Sequence, residues 1–160
     1  MTGKIRPSPK TPAAPAAGDL LRLDNQLCFA LYAASSLVTR AYRPLLEPLG
    51  LTYPQYLVML ALWEDAPRTV KALGQALDLD SGTLTPLLKR LESAGFVTRR
   101  RDAQDERKVQ IDLTPAGQAL RAKAAEVPAA LACQLHLPLD EIVGLRTTLQ
   151  DLARRMKAAE

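Results

Sequence analysis

The chain has 160 residues, 48% of them hydrophobic and 24% charged, and a formal net charge of +4. That suits one packed domain, or one domain with an added helical layer, and the mild basicity fits nucleic acid only if the positive charge is clustered. Two cysteines far apart exclude a secreted disulfide scaffold, and Cys133 with His136 forms only a lone C-x-x-H, so no metal site and no cofactor is expected.

Residues 1–18, "MTGKIRPSPKTPAAPAAG", read as a disordered tail without the apolar run of a signal peptide. No stretch has the length of a membrane span, so the expectation is a cytoplasmic protein with no membrane partner and reduced thiols. From Leu20 to Leu45 the apolar residues follow helical spacing, and Pro44 and Pro48 are expected to end that helix. A second helix begins at "TYPQ", where Thr52 caps, Gln55 sits three residues on and Pro54 is tolerated in the first turn. Its predicted apolar face runs through Tyr56, Leu57, Leu60 and Ala61 to Trp63.

"TVKALGQALDLDSGTLTPLLKRLESAGFV" then predicts two short amphipathic helices. Val70, Leu73 and Leu77 face inward in the first, and Leu84, Leu87, Leu88 and Leu91 in the next. "DLDSG" between them supplies turn and cap chemistry, and Gly95 closes the second helix. This is a helix-turn-helix pattern. Pro86 fits it only if helical geometry starts near Ser81 to Thr83. The outward residues Thr83, Thr85, Lys89 and Arg90 can reach phosphates or base edges.

"FVTRRRDAQDERKVQIDLT" predicts a two-stranded wing with a charged tip from Arg99 to Lys108. Five cations (Arg99, Arg100, Arg101, Arg107, Lys108) outweigh three anions (Asp102, Asp105, Glu106) there, which supplies the required clustering. Thr114-Pro115 opens another helix, which Pro128 interrupts. The last helix starts near Leu139, and Ile142, Leu145, Leu149, Leu152 and Met156 form a heptad seam suited to a helical dimer interface. The expected fold is mainly α: a winged helix-turn-helix over 51–114 with a two-stranded wing, flanked by dimerisation helices at 19–50 and 115–160.

"SGTLTPLLKRLESAGFVTRRRDAQDERKVQIDLTPAG" resembles the winged-helix core of the MarR family, and "DERKVQIDLT" is similar to that family's wing signature. "NQLCFALYAAS" and "GLTYPQYLVMLALWE" resemble its organic hydroperoxide resistance regulators, the OhrR-type branch, and the likeness covers roughly residues 20–158. It implies a homodimeric repressor of a pseudo-palindromic double-stranded DNA operator, with an organic hydroperoxide as inducer. Ser81, Gly82, Thr83 and Arg90 would meet the major groove, and Arg107 would enter the minor groove from the wing. Asp105 could orient the Arg107 guanidinium, which otherwise reads as a solvated turn residue.

Taken alone, Cys28 reads as a small core residue, since free cysteines are commonly buried. Tyr32, four residues on, shares its helix face. The resemblance puts Tyr42 and Tyr53 where the family has phenols beside its reactive thiol. Their hydroxyls would hydrogen-bond a thiolate and hold a peroxide oxygen. Oxidation would give a sulfenic acid, and the likeness to two-cysteine members implies that Cys28 then pairs with Cys133 of the other subunit. Phe29 and Leu31 are candidates to line an apolar pocket for the oxidant. Two other readings stand beside this one. A repressor of the same family could be released by a small aromatic ligand, with structural cysteines. A thiol peroxidase would need a resolving C-x-x-C pair or a general base near Cys28, and the only histidine is His136; the protein is therefore expected not to be an enzyme.

Overall fold

The computed structural model describes residues 19–101, 105 and 108–159. It divides into a first unit ending at Leu37 and a second beginning at Val38. The predicted tail over 1–18 and half of the wing tip (102–104, 106 and 107) lie outside the described residues.

In the first unit, helix α1 (Leu27–Leu46) starts later than the apolar spacing predicts. A 3-10 turn, Leu23–Asn25, precedes it. Asn25 Nδ2 donates to the Asp19 carbonyl at 2.8 Å and Gln26 Nε2 to that of Arg22 at 3.2 Å, so polar side chains occupy carbonyls that a continuous helix would have used. The late start places Cys28 in the first turn of α1.

In the second unit α1 runs to Leu46 with Pro44 inside its last turn rather than ending at it, and Pro48 sits in a 3-10 turn, Glu47–Leu49. Helix α2 (Tyr53–Glu64) starts as predicted: Gln55 Oε1 accepts from Thr52 N at 2.8 Å and from Thr52 Oγ1 at 3.0 Å. Its burial is wider than the predicted face. Val58, Met59 and Leu62 are buried along with Tyr56, Ala61 and Trp63, whereas Leu60 is exposed. The helix is apolar nearly all round because it is packed from several sides. Trp63 Nε1 donates to the Gly117 carbonyl at 2.9 Å, which ties α2 to α5 (Pro115–Ala124).

Helices α3 (Val70–Leu77) and α4 (Ser81–Ser93) are the predicted pair. Helix α4 ends as Gly95 predicts, with left-handed backbone (φ 78°), Gly95 N bonding Glu92 O at 2.9 Å and Phe96 N bonding Leu91 O at 3.0 Å. The sheet holds three antiparallel strands rather than two. Strand β1 (Arg68–Thr69) pairs with β3 (Val109–Leu113), which pairs with β2 (Val97–Arg101). A two-residue strand is too short to show alternation, so sequence spacing does not predict it. Thr114 caps α5, its Oγ1 accepting from Gly117 N at 3.0 Å. Helix α6 (Val127–Leu135) carries Pro128 in its first turn, so the break falls just before the proline. Helix α7 (Leu139–Lys157) buries nothing, and Leu139, Val143, Leu145, Leu149 and Met156 are exposed.

The core gathers Tyr56, Met59, Leu62, Leu73, Leu84, Leu88, Leu91, Val97 and Ile111, and so fixes α2, α3, α4 and the sheet as one body. No helix of the described residues is long and apolar enough to cross a membrane.

Candidate nucleic-acid interface and thiol site

The turn between α3 and α4 is set by short-range chemistry. Thr69 caps α3, its Oγ1 accepting from Ala72 N at 3.0 Å. Asp78 ends it with left-handed backbone (φ 58°), and Leu79 N bonds Gly74 O at 2.9 Å. A Cβ on Gly74 would lie 2.8 Å from the Leu79 carbonyl oxygen, so the close approach requires glycine. Asp80 then caps α4: its Oδ1 accepts from Thr83 N at 2.9 Å and its Oδ2 from Thr83 Oγ1 at 2.7 Å. Those two bonds hold the Asp80 carboxyl below the ordinary carboxylate range.

Leu84, Leu88 and Leu91 are fully buried and pin one side of α4. The opposite side exposes Ser81, Gly82, Thr83, Lys89 and Arg90, so five of the predicted residues share a solvent face. Thr85 is different. It is half-buried, and its hydroxyl donates to the Ser81 carbonyl at 2.7 Å. Helix α4 starts at Ser81, within the range that Pro86 calls for, but Pro86 falls in the second turn, where it forgoes an N–H bond to the Gly82 carbonyl. Lys71 and Gln75, absent from the sequence prediction, line one groove with Ser81. Their spacing of four on α3 was visible, but not which face of α3 adjoins α4.

The wing carries Arg99, Arg100 and Arg101 on β2, in register with Ile111, Gln110 and Val109. Arg99 Nη1 lies 3.6 Å from Glu92 Oε2, which joins the wing to the end of α4. Arg99 is thus a bracing residue more than part of the tip. Lys108 Nζ lies 3.4 Å from Asp105 Oδ2. Arg107, the residue predicted to pair with Asp105 and enter the minor groove, lies outside the described residues.

Neither cysteine is packed into the core. Cys28, in the first turn of α1, and Cys133, in α6, are both exposed free thiols, which overturns the reading of Cys28 as a core residue. Tyr32, one turn after Cys28, is 70% exposed. In the second unit Tyr42 and Tyr53 come together with ring centroids 4.8 Å apart, and Tyr56 lies 5.8 Å from Tyr42. Burial first, then the charges that Tyr53 and Tyr56 would carry, push the Tyr42 phenol up to about 12. Burial also raises Tyr53, and burial with the Tyr53 charge raises Tyr56. All three phenols therefore stay protonated at neutral pH and can donate hydrogen bonds. Among the described residues no group of three His, Cys, Asp or Glu could hold a metal ion.

The profile of the transcriptional regulator SarA/Rot family matches residues 40–124. The organic hydroperoxide resistance transcriptional regulator of Bacillus subtilis strain 168 is 53% identical over 134 residues, 84% of this chain and 91% of that protein. AbfR of Staphylococcus epidermidis is similar in structure in two states. The reduced form bound to DNA has a TM-score of 0.73 at 40% identity over 88% of this chain and 99% of that one. The disulfide form has a TM-score of 0.59 at 40% identity over 88% of this chain and 94% of that one. Wild-type MarR from Escherichia coli has a TM-score of 0.66 at 28% identity over 79% of this chain and 96% of that one.

Proposed function

The chain belongs to the organic hydroperoxide resistance branch of the MarR family, DNA-binding transcriptional regulators rather than enzymes, and on that premise we propose that it is a homodimeric repressor that leaves its operator when an organic hydroperoxide oxidises Cys28. The observation that carries the reading is the position of Cys28. It is a solvent-accessible free thiol in the first turn of α1, open to an oxidant arriving from solution.

The thiolate attacks one peroxide oxygen, the O–O bond breaks, and the other oxygen leaves as an alkoxide that takes a proton to become the alcohol. Cys28 is then a sulfenic acid. The Cys133 thiolate of the partner subunit attacks that sulfur, hydroxide leaves as water, and an intersubunit disulfide forms. Tyr32, Tyr42 and Tyr53 serve as donors to the thiolate and to the peroxide. The protonated state of Tyr42 and Tyr53 supports that role.

Repression follows from the same assignment. The stretches 19–50 and 115–160 form the dimerisation region. The apolar residues left exposed along α1 and α7 support this, because a lone chain would leave them in water. Residues 51–114 read a pseudo-palindromic operator. Ser81, Gly82, Thr83, Lys89 and Arg90 enter the major groove, Thr85 supports from its flank, and Arg107 reaches the minor groove with Asp105 bracing the wing. The protein acts in the cytoplasm, where thiols are reduced until an oxidant arrives.

A cleft of about 600 Å³, lined by Arg40, Arg43, Leu51 and Tyr53 among others, favours a second reading: release by a small aromatic ligand. One experiment separates the two. Operator binding is followed by fluorescence anisotropy for wild type and Cys28→Ser, with and without cumene hydroperoxide. Oxidant should release wild type alone, because serine cannot form a sulfenic acid. Release of the serine variant by the hydroperoxide would sink the thiol mechanism.

A further inference from the structure

Asp78 sits where a DNA-reading element can least use a negative charge. It ends α3 and lines the groove that also holds Lys71, Gln75 and Ser81. With α4 in a major groove, phosphates pass near that edge, and an uncompensated carboxylate there repels them. The other carboxylate of the groove, Asp80, is engaged by Thr83 at the start of α4. Asp78 instead meets a cation from the far end of the chain: Lys157 Nζ, on the last residue of α7, lies 2.9 Å from Asp78 Oδ1.

We propose that Lys157 is an electrostatic latch on the DNA-reading lobe, a positioning cation that cancels the Asp78 charge and so admits operator phosphates. The inference rests on the assignment of α4 to the major groove. Both side chains are largely exposed, 55% for Lys157 and 76% for Asp78. Such a pair adds little to folding stability, so its effect falls on the field at the groove. Helix α7 also follows directly on α6, the helix that carries Cys133. A displacement of α6 and α7 therefore withdraws Lys157 and restores the repulsion, which gives the thiol a route to the DNA face.

The test uses the full reduced chain and a duplex selected by the wild-type protein from random-sequence DNA, read by anisotropy at one low salt concentration. A unit charge roughly 8 Å from a phosphate in water changes affinity about two- to threefold, hence about fivefold over two half-sites. Lys157→Ala should weaken binding by about that factor. Asp78→Asn, which keeps a residue tolerant of left-handed backbone, should bind at least as tightly as wild type. The double variant, which removes one charge of each sign, should return to about wild-type affinity. Unchanged affinity in Lys157→Ala would overturn the inference. So would a loss that Asp78→Asn does not restore, because Lys157 would then touch DNA itself. A pair that mattered only to the fold would lose affinity in Asp78→Asn as well, with the same consequence. If wild type selects no duplex, the DNA-reading assignment fails first and takes the latch with it.

Discussion

Substituting alanine for Gly74 tests whether the turn geometry positions α4, the helix proposed to read DNA. The new methyl would lie 2.8 Å from the Leu79 carbonyl oxygen, and ordinary contact begins near 3.4 Å. That oxygen belongs to the backbone of the turn, so no rotamer change relieves the clash. The turn must open by about 0.6 Å, and overpacking of this kind costs up to about 3 kcal/mol. Replacing a helical glycine by alanine recovers about 1 kcal/mol of propensity, leaving a net loss of about 2 kcal/mol. Gly144, in α7, is the control, because a Cβ there meets nothing within 4 Å. It also lies off the Ile142–Leu145–Leu149 seam. Gly144→Ala should therefore gain about 1 kcal/mol. For a domain of this size the Gly74 variant should melt roughly 4–8 °C below wild type and the Gly144 variant roughly 2–4 °C above it. Melting is followed by circular dichroism at equal protein concentration, since the proposed dimer would make the midpoint concentration-dependent. Well below the melting range, Gly74→Ala should still bind its operator at least about tenfold more weakly, because a displaced α4 no longer meets the base edges. A Gly74→Ala protein that melts with wild type and binds with wild-type affinity would refute the reasoning.

Cys133→Ser should still react at Cys28 but form no covalent dimer on non-reducing gels, and strong oxidant should inactivate it in a way that dithiothreitol restores poorly. Recovery equal to wild type would make Cys133 a bystander. Arg107→Ala should weaken operator binding with little change in melting and reduce the slope of log affinity against log salt by about one for each phosphate it no longer neutralises; an unchanged slope would remove the minor-groove assignment. The tyrosine cluster predicts a pH effect of definite sign. Its folded phenols ionise above the usual value of 10.0, Tyr42 near 12. Between those values the unfolded chain has released protons that the folded chain keeps. The cluster's contribution to stability is thus complete below about pH 10 and lost as pH rises toward about 12. Absorbance titration should show late tyrosinate formation in wild type and one late group fewer in Tyr42→Phe. Ionisation of Tyr42, Tyr53 and Tyr56 at the usual value of 10.0 would contradict the packing.

Much of this molecule was legible in the chain because the signals are local. Thr52 with Gln55, Asp80 before Ser81, Gly95 after α4 and Thr114 before Pro115 each act on backbone groups within a few residues, and each helix end falls where that chemistry puts it. The apolar period of α4 picked out Thr83, Lys89 and Arg90 as outward residues, whereas Thr85, chosen the same way, is half-buried. Tertiary structure decided what depends on distant neighbours. Helix α2 is buried on more sides than its pattern predicts, because α3, α4 and α5 all reach it. The third strand exists only because β3 offers its free edge to Arg68 and Thr69. Both thiols lie in apolar helical patterns that read equally as core, and only the packing of the other side chains leaves them in solvent. The meeting of Tyr42 with Tyr53 and of Lys157 with Asp78 has no local code, since such pairings are set by how whole helices pack rather than by residue spacing.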